Sequence, residues 1–150
     1  MNEDEKWMRQ AIKEAINAEN EGEVPVGAVL VKDGRLISKA HNQSISKNDA
    51  SAHAEIQLIR SAGEIQKNYR LTGCLLYVTL EPCAMCLGAI MHARIKRIIY
   101  GANDTKTGVC GSCIDLTNGD NFNHRVQITS GVLAEDCKKM IQNFFRNKRH

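Results

Sequence analysis

The chain of 150 residues has no apolar run near the roughly 18 residues a membrane helix needs. Its opening, Met1-Asn2-Glu3-Asp4-Glu5-Lys6, is acidic and lacks an apolar core, so no secretory signal is expected and a cytoplasmic location is the default. Internal repeats, low-complexity tracts and stretches rich in proline or serine are also missing. One domain spanning residues 1–150 is therefore expected. Charge of one sign is scarce: the net charge is only +3, a weak reason by itself to expect nucleic acid. The hydrophobic fraction of 43% and charged fraction of 25% suit an ordinary globular chain with one sizeable core.

What charge there is, is unevenly placed. Residues 1–23 carry seven acidic and three basic side chains, whereas 138–150 carry five Lys or Arg and no acid. Such a basic end suits phosphate contacts, and equally a helix terminus whose cations complement its dipole. Six cysteines are present, four of them in two C-x-x-C pairs, Cys83/Cys86 and Cys110/Cys113. In a chain of this kind close pairs point to metal or catalysis before disulfides.

The patterning predicts alternating helices and strands. Met8, Ala11, Ile12, Ala15 and Ile16 make a helical stripe over 4–21, stopped by Gly22. Residues 24–31 read as a buried strand, Lys32-Asp33-Gly34 as a turn, and 35–40 as its partner strand. A polar loop over 41–51 precedes a helix over 52–62, closed by Gly63. Residues 74–80 form a second β-rich run, Pro82 suits a first helical turn, and 83–93 continue as a helix. Strand 95–101 follows, then a loop over 102–124 with one short helix, strand 125–129 and a helix over 134–146. That last helix carries Cys137, Met140, Ile141, Phe144 and Phe145 on its apolar side. The alternation indicates a three-layer α/β domain.

Two segments carry chemistry. Ala52-His53-Ala54-Glu55 and Glu81-Pro82-Cys83-Ala84-Met85-Cys86 each open a predicted helix. Cysteines at i and i+3 at a helix start can face one metal, and the helix N-terminus favours their thiolates. His53 supplies a third ligand to the zinc that Cys83 and Cys86 would hold. Three protein ligands leave a fourth position for water, the arrangement of a catalytic zinc. Glu55 lies two residues from His53, so on a regular helix it points elsewhere. It is expected to move protons rather than to ligate. The competing reading is a structural zinc clip with Cys110 or Cys113 as fourth ligand, which leaves Glu55 without a role.

The H-x-E … P-C-x-x-C spacing is already known as the signature of zinc base deaminases, the tRNA deaminase among them. Together with VPVGAVLV, Asn42, AHAEI, NYRL, LYVTLEPCAMC, GAxDxKTG and NHRV…ITSGVL, it makes the chain resemble the bacterial tRNA-specific adenosine deaminases from Glu23 to Phe144-Phe145-Arg146. The resemblance implies a cytidine-deaminase-like α/β/α fold with a central mixed sheet of about five strands flanked by helices. It also implies one Zn2+ per subunit, a homodimer, and conversion of the wobble adenosine of an arginine tRNA anticodon to inosine. By position, His53, Cys83 and Cys86 match the zinc ligands and Glu55 the proton shuttle. Asn42 matches a contact to the target base and ribose, Asp104 a contact to the neighbouring backbone, and Phe144, Phe145 and Arg146 a helix end touching nearby nucleotides. Asn42 and Asp104 are equally legible as turn residues, and the two phenylalanines as core. The partner expected is a tRNA anticodon loop, with no membrane and no DNA. Cys110-Gly111-Ser112-Cys113 departs from the family pattern and reads chiefly as two incidental thiols, with a redox pair or adventitious metal site as the alternative. The zinc motif does not by itself separate tRNA from free guanine or cytosine as substrate, nor exclude a non-enzymatic RNA-binding zinc module.

Overall fold

The computed structural model describes residues 2–118 and 122–148. Helix α1 (Glu3–Asn20) begins at Asn2, whose side chain accepts from Glu5 N, and places Glu3, Asp4 and Glu5 at the positive end of its dipole. Strands β1 (Gly27–Lys32) and β2 (Arg35–His41) pair antiparallel across Asp33 and Gly34, both at positive φ (52° and 74°). This is the Asp-Gly hairpin turn read from the sequence. Helix α2 (Ala54–Gln66), β3 (Leu75–Leu80), α3 (Ala84–His92), β4 (Arg97–Ala102), β5 (Gln127–Thr129) and α4 (Ala134–Lys148) follow.

The five strands form one mixed sheet, ordered β2-β1-β3-β4-β5. β1 runs antiparallel to β2 and β3, whereas β3, β4 and β5 are mutually parallel. Side chains alternate between two buried faces. Ala28, Leu30, Leu76, Val78, Ile98 and Tyr100 pack with Ala54, Leu58, Ala62, Leu87 and Ile90 of α2 and α3. Val29, Val31, Tyr77 and Ile99 pack with Trp7, Met8, Ala11 and Cys137 of α1 and α4. Burial on both faces is why these strands read as continuous apolar runs. The expected three-layer α/β/α architecture with five strands is present.

Close packing has a local cost at Gly27. A Cβ there would sit 2.1 Å from Ala11 O and 2.4 Å from Ala15 N, so only glycine lets the backbone of α1 lie against β1. No helix among the described residues is long and apolar enough to cross a membrane.

Several boundaries differ from the expectations. β1 starts at Gly27, after Pro25, which offers no N–H to a ladder. Gly63 does not close α2. The helix continues to Gln66 and ends at Lys67 in the left-handed region, since one interior glycine costs only about 1 kcal/mol. Pro82 lies ahead of the Cys83 cap of α3 rather than in its first turn. The expected short helix in 102–124 does not form among the described residues, which show turns and one bridge between Cys110 and Asp115. Residues 119–121 of that loop, and Arg149 of the basic end, lie outside the described residues. Phe145 is not on the apolar side of α4: it is 46% exposed, while Phe144 is buried and meets it edge-on.

A polar network ties the start of α1 to the sheet. Arg97 donates to both Asp4 oxygens (3.1 and 2.6 Å) and to Thr129 Oγ1, and the Tyr77 hydroxyl donates to Asp4 (2.8 Å). Burial alone would raise the Asp4 pKa, but the bonds from Arg97 and Tyr77 outweigh it and hold the carboxyl below its usual range. A depressed folded pKa contributes stability that is present above the unfolded value and lost as pH falls through the folded one. Asp4→Asn should therefore lower Tm at neutral pH by about 2–4 °C, the shift expected for about 1 kcal/mol in a domain of this size. In thermal melts the gap from the native chain should narrow as pH falls below the ordinary aspartate value of about 4. A gap that stays constant on acidification would show that the ion pair contributes nothing.

Candidate active site

Two helix starts meet beside the ends of the central strands. His53 caps α2 with an extended backbone (φ −69°, ψ 157°), and Cys83 caps α3 in the same way (φ −84°, ψ 176°). Neither side chain is spent on capping its own helix, so both are available at the helix tip. Cys86 lies in the first turn of α3 and is fully buried. His53 Nδ1 lies 3.7 Å from Cys83 Sγ and 3.5 Å from Cys86 Sγ, and the three donor atoms lie within 4.8 Å of one another. Tetrahedral zinc, with Zn–S of about 2.3 Å and Zn–N of about 2.0–2.1 Å, would separate sulfur and nitrogen by about 3.6 Å. The donor set and its spacing therefore fit zinc.

The protons of this cluster are shared. The Cys86 thiol donates to Cys83, and this bond, with help from His53 and against the effect of burial, lowers the Cys83 pKa to about 4. The same contact raises Cys86. His53 is raised, first by its bond to Cys83. A dication displaces such shared protons, which couples metal affinity to pH.

Glu55 is 4% exposed and is not one of the three clustered donors. Burial pushes its carboxyl up to about 7, opposed by its own backbone N–H and reinforced by the charge of Cys83. A carboxyl titrating there can take and return a proton near neutral pH.

The neighbouring loops are built around polar side chains. Asn42 Oδ1 accepts from Ala54 N at 2.7 Å, supplying the cap that His53 does not. Glu23, 1% exposed, accepts from Ile45 N and Ser46 N and so holds the loop after β2. Burial would raise its pKa, but those backbone donors outweigh it and lower it. Glu81, 3% exposed, accepts from Asp104 N, Cys110 N and Ser112 N, and so holds the loop after β4. Asp104 closes an Asx turn with Lys106 N and Thr107 N and a bond from Thr107 Oγ1.

The structure thus brings His53, Cys83, Cys86 and Glu55 together, with Asn42 joined through Ala54 and Asp104 through Glu81. Phe144, Phe145 and Arg146 lie outside the cluster, on the last turns of α4, where Arg146 contacts Asn143. Of the three, Phe144 is buried and only Phe145 and Arg146 are open to a ligand. Sequence reasoning missed Glu23 and Glu81. The available signal was an acid directly bordering an apolar strand run, Glu23 before VPVGAVLV and Glu81 after LYVTL. Among the described residues, neither Cys110 nor Cys113 joins the metal cluster, so the structural clip lacks its fourth cysteine. Burial pushes the Cys110 thiol up to about 12, which makes it unreactive, while Cys113 is exposed.

Residues 1–102 match the family model for the cytidine and deoxycytidylate deaminase zinc-binding region. The chain is 50% identical over 147 residues to a tRNA-specific adenosine deaminase of Haemophilus influenzae, covering 97% of this chain and 85% of that protein. A solved tRNA:A34 deaminase, studied for A-to-I editing at the wobble position of transfer RNA, superposes with a TM-score of 0.87 at 43% identity, covering 90% of this chain and 98% of that one. A guanine deaminase of Bacillus subtilis superposes with a TM-score of 0.67 at 32% identity, covering 98% and 95%.

Metal analysis of the native protein should find about one zinc per chain, and Cys86→Ala should lose most of it. Removing zinc from the native protein with a chelator should also lower Tm, because the metal binds the folded cluster in preference to the unfolded chain. A Cys86→Ala protein with full zinc content would remove Cys86 from the ligand set.

Proposed function

The chain belongs to the tRNA-specific adenosine deaminases of the cytidine and deoxycytidylate deaminase zinc-binding family, and on that premise we propose that it hydrolyses the wobble adenosine of an arginine tRNA anticodon to inosine. For the chemistry, the reading rests on one observation: a fully buried carboxyl, Glu55, held beside a three-donor zinc site without joining it. For the substrate, it rests on the greater likeness to the tRNA deaminases, at 50% and 43% identity, than to the guanine deaminase, at 32%.

His53, Cys83 and Cys86 would hold the metal, which when bound supplies the Lewis acidity that makes water nucleophilic at neutral pH. Glu55 takes one proton from the attacking water and delivers it to the ring nitrogen of adenine. It then moves a second proton to the exocyclic amine. The new C–O bond replaces the C–N bond, and adenosine plus water becomes inosine plus ammonia. A carboxyl held near pH 7 serves both steps without a large driving-force penalty.

The target base has to leave the stack to reach a buried Glu55, and an unpaired anticodon base does so at less cost than a base in a duplex. Asn42 NH2, Phe145 and Arg146 are the groups proposed to meet the nucleotide and its neighbours. Asp104, held in its Asx turn, is proposed to meet the neighbouring backbone, and Phe144, buried, acts through the helix end it builds. A homodimer and a cytoplasmic location belong to the same reading. The exposed apolar side chains Ile45, Met85 and Ile114 are surface that a second subunit would cover.

The deciding experiment offers the zinc-loaded protein an arginine tRNA anticodon stem-loop, free adenosine, cytidine, guanine and cytosine, with products read by mass spectrometry. Inosine confined to the wobble position is expected. Turnover of free guanine with none on the stem-loop would replace this reading with that of the guanine deaminases. Glu55→Ala should keep its zinc and lose turnover by about 100- to 10,000-fold, the range for a removed acid–base group. Binding of the stem-loop should weaken about tenfold or more between roughly 50 and 200 mM salt, because phosphate contacts release counterions. Affinity independent of salt would argue against backbone contacts.

A further inference from the structure

The loop that follows β4 has almost no sheet to hold it. β4 ends at Ala102, and among the described residues between it and β5 only the Cys110–Asp115 bridge is ladder-like. Its backbone donors must find partners elsewhere if the loop is to keep one shape. Three of them, Asp104 N (3.0 Å), Cys110 N (2.9 Å) and Ser112 N (3.1 Å), converge on the carboxylate of Glu81. A further loop donor, Val109 N, bonds to Pro82 O at 3.1 Å, directly before the metal-ligating Cys83.

Glu81 is poorly placed for any solvent-facing role, because it is 3% exposed. Burying a carboxylate is tolerable only with compensating donors, and here the loop provides them. The packing is tight enough to dictate sequence: a Cβ on Gly108 would sit 2.5 Å from Glu81 Cδ and 2.5 Å from Asp104 O. The loop therefore closes around the carboxylate as around a post. Asp104, pinned at its N–H by Glu81, then folds its own side chain back onto Lys106 and Thr107. Loops at the carboxyl ends of strands are where α/β sheets take their ligands.

We propose that Glu81 is a positioning residue for substrate: its carboxylate holds the 103–115 loop as one wall of the cleft beside the metal cluster, and so governs binding of the RNA rather than metal retention or proton transfer. This rests on the RNA substrate proposed above. Glu55 and Glu81 then divide the work, one touching the reacting groups and the other fixing the wall against which the nucleotide lies.

The test is Glu81→Gln, which keeps the shape but turns one acceptor oxygen into a donor. An amide cannot accept from both ends of the loop, so the Asp104 end or the Cys110 end has to release. Zinc content should stay at the native value and kcat on the anticodon stem-loop should stay within about threefold. KM should rise about tenfold or more, the split expected when substrate binding is lost and the chemical step is spared. Amide hydrogen exchange over 103–113 should accelerate in the variant while α2 and α3 remain protected. Gly108→Ala, which leaves the carboxylate in place and pushes the loop away from it, should reproduce the KM rise. Zinc lost from Glu81→Gln, kcat reduced with KM unchanged, or native kinetics in both variants would each overturn the proposal. If the native protein leaves the stem-loop unreacted, the substrate reading fails separately, and hydrogen exchange decides alone: unchanged exchange over 103–113 in Glu81→Gln overturns the anchor.

Discussion

Two α-helices begin within bonding reach of a single point, and the rest of the site depends on that convergence. His53 and Cys83 occupy equivalent positions, each the last extended residue before a helix, so their side chains fall off the helix tip rather than lie along a flank. The positive end of a helix dipole at Cys83 adds to the bond from Cys86 in favouring its thiolate. A side chain turned toward a metal cannot also cap its helix. The cap is borrowed from Asn42 at the end of β2, and the ligand is thereby tied to the sheet as well as to α2. Shifting either helix by one residue would carry its ligand about 100° round the axis and dissolve the cluster.

Three glutamates are buried around this point, and their partners decide what each can do. Glu23 and Glu81 are met by backbone amides from the loops on either side, so each is a fixed acceptor around which a loop is folded. For Glu23 the amides win over desolvation and the carboxyl stays ionised. Glu55 is buried without a comparable set of donors, and desolvation wins, leaving a carboxyl that exchanges its proton near neutrality. Three equally buried residues of one type thus differ through the donors and charges that reach them. The two further cysteines of the second C-x-x-C pair show the same dependence on surroundings. Cys110 is sealed into the core and Cys113 faces outward, so their spacing, though identical to that of Cys83 and Cys86, builds no ligand pair.

Much of the fold was legible because its signals are local. The Asp33-Gly34 turn, the valine-rich β1 run, the stripe of α1 and the acids at its start all act within a few residues. The misses are places where a local preference was too weak to decide. Gly63 reads as a stop, yet α2 runs on to Gln66. Phe144 and Phe145 read alike, yet packing of α4 buries one and exposes the other. Asn42 and Asp104 were each legible in two ways, and each makes a local bond, a cap on α2 and an Asx turn, that no pattern within its own segment announces.

The sequence by itself determined the metal chemistry, because zinc demands particular atoms at particular spacings and His53, Glu55, Cys83 and Cys86 state both within two short segments. It determined the layer order for a similar reason, since strands buried on both faces must be apolar throughout and helices between them must be striped. Only the tertiary structure decided which carboxylates are anchors and that burial lifts the Glu55 carboxyl toward neutrality. A carboxylate's role is set by how many donors reach it and how much water does not. Those donors come from Ile45, Ser46, Asp104, Cys110 and Ser112, more than 20 residues away from the glutamates they bind, at distances no local pattern encodes.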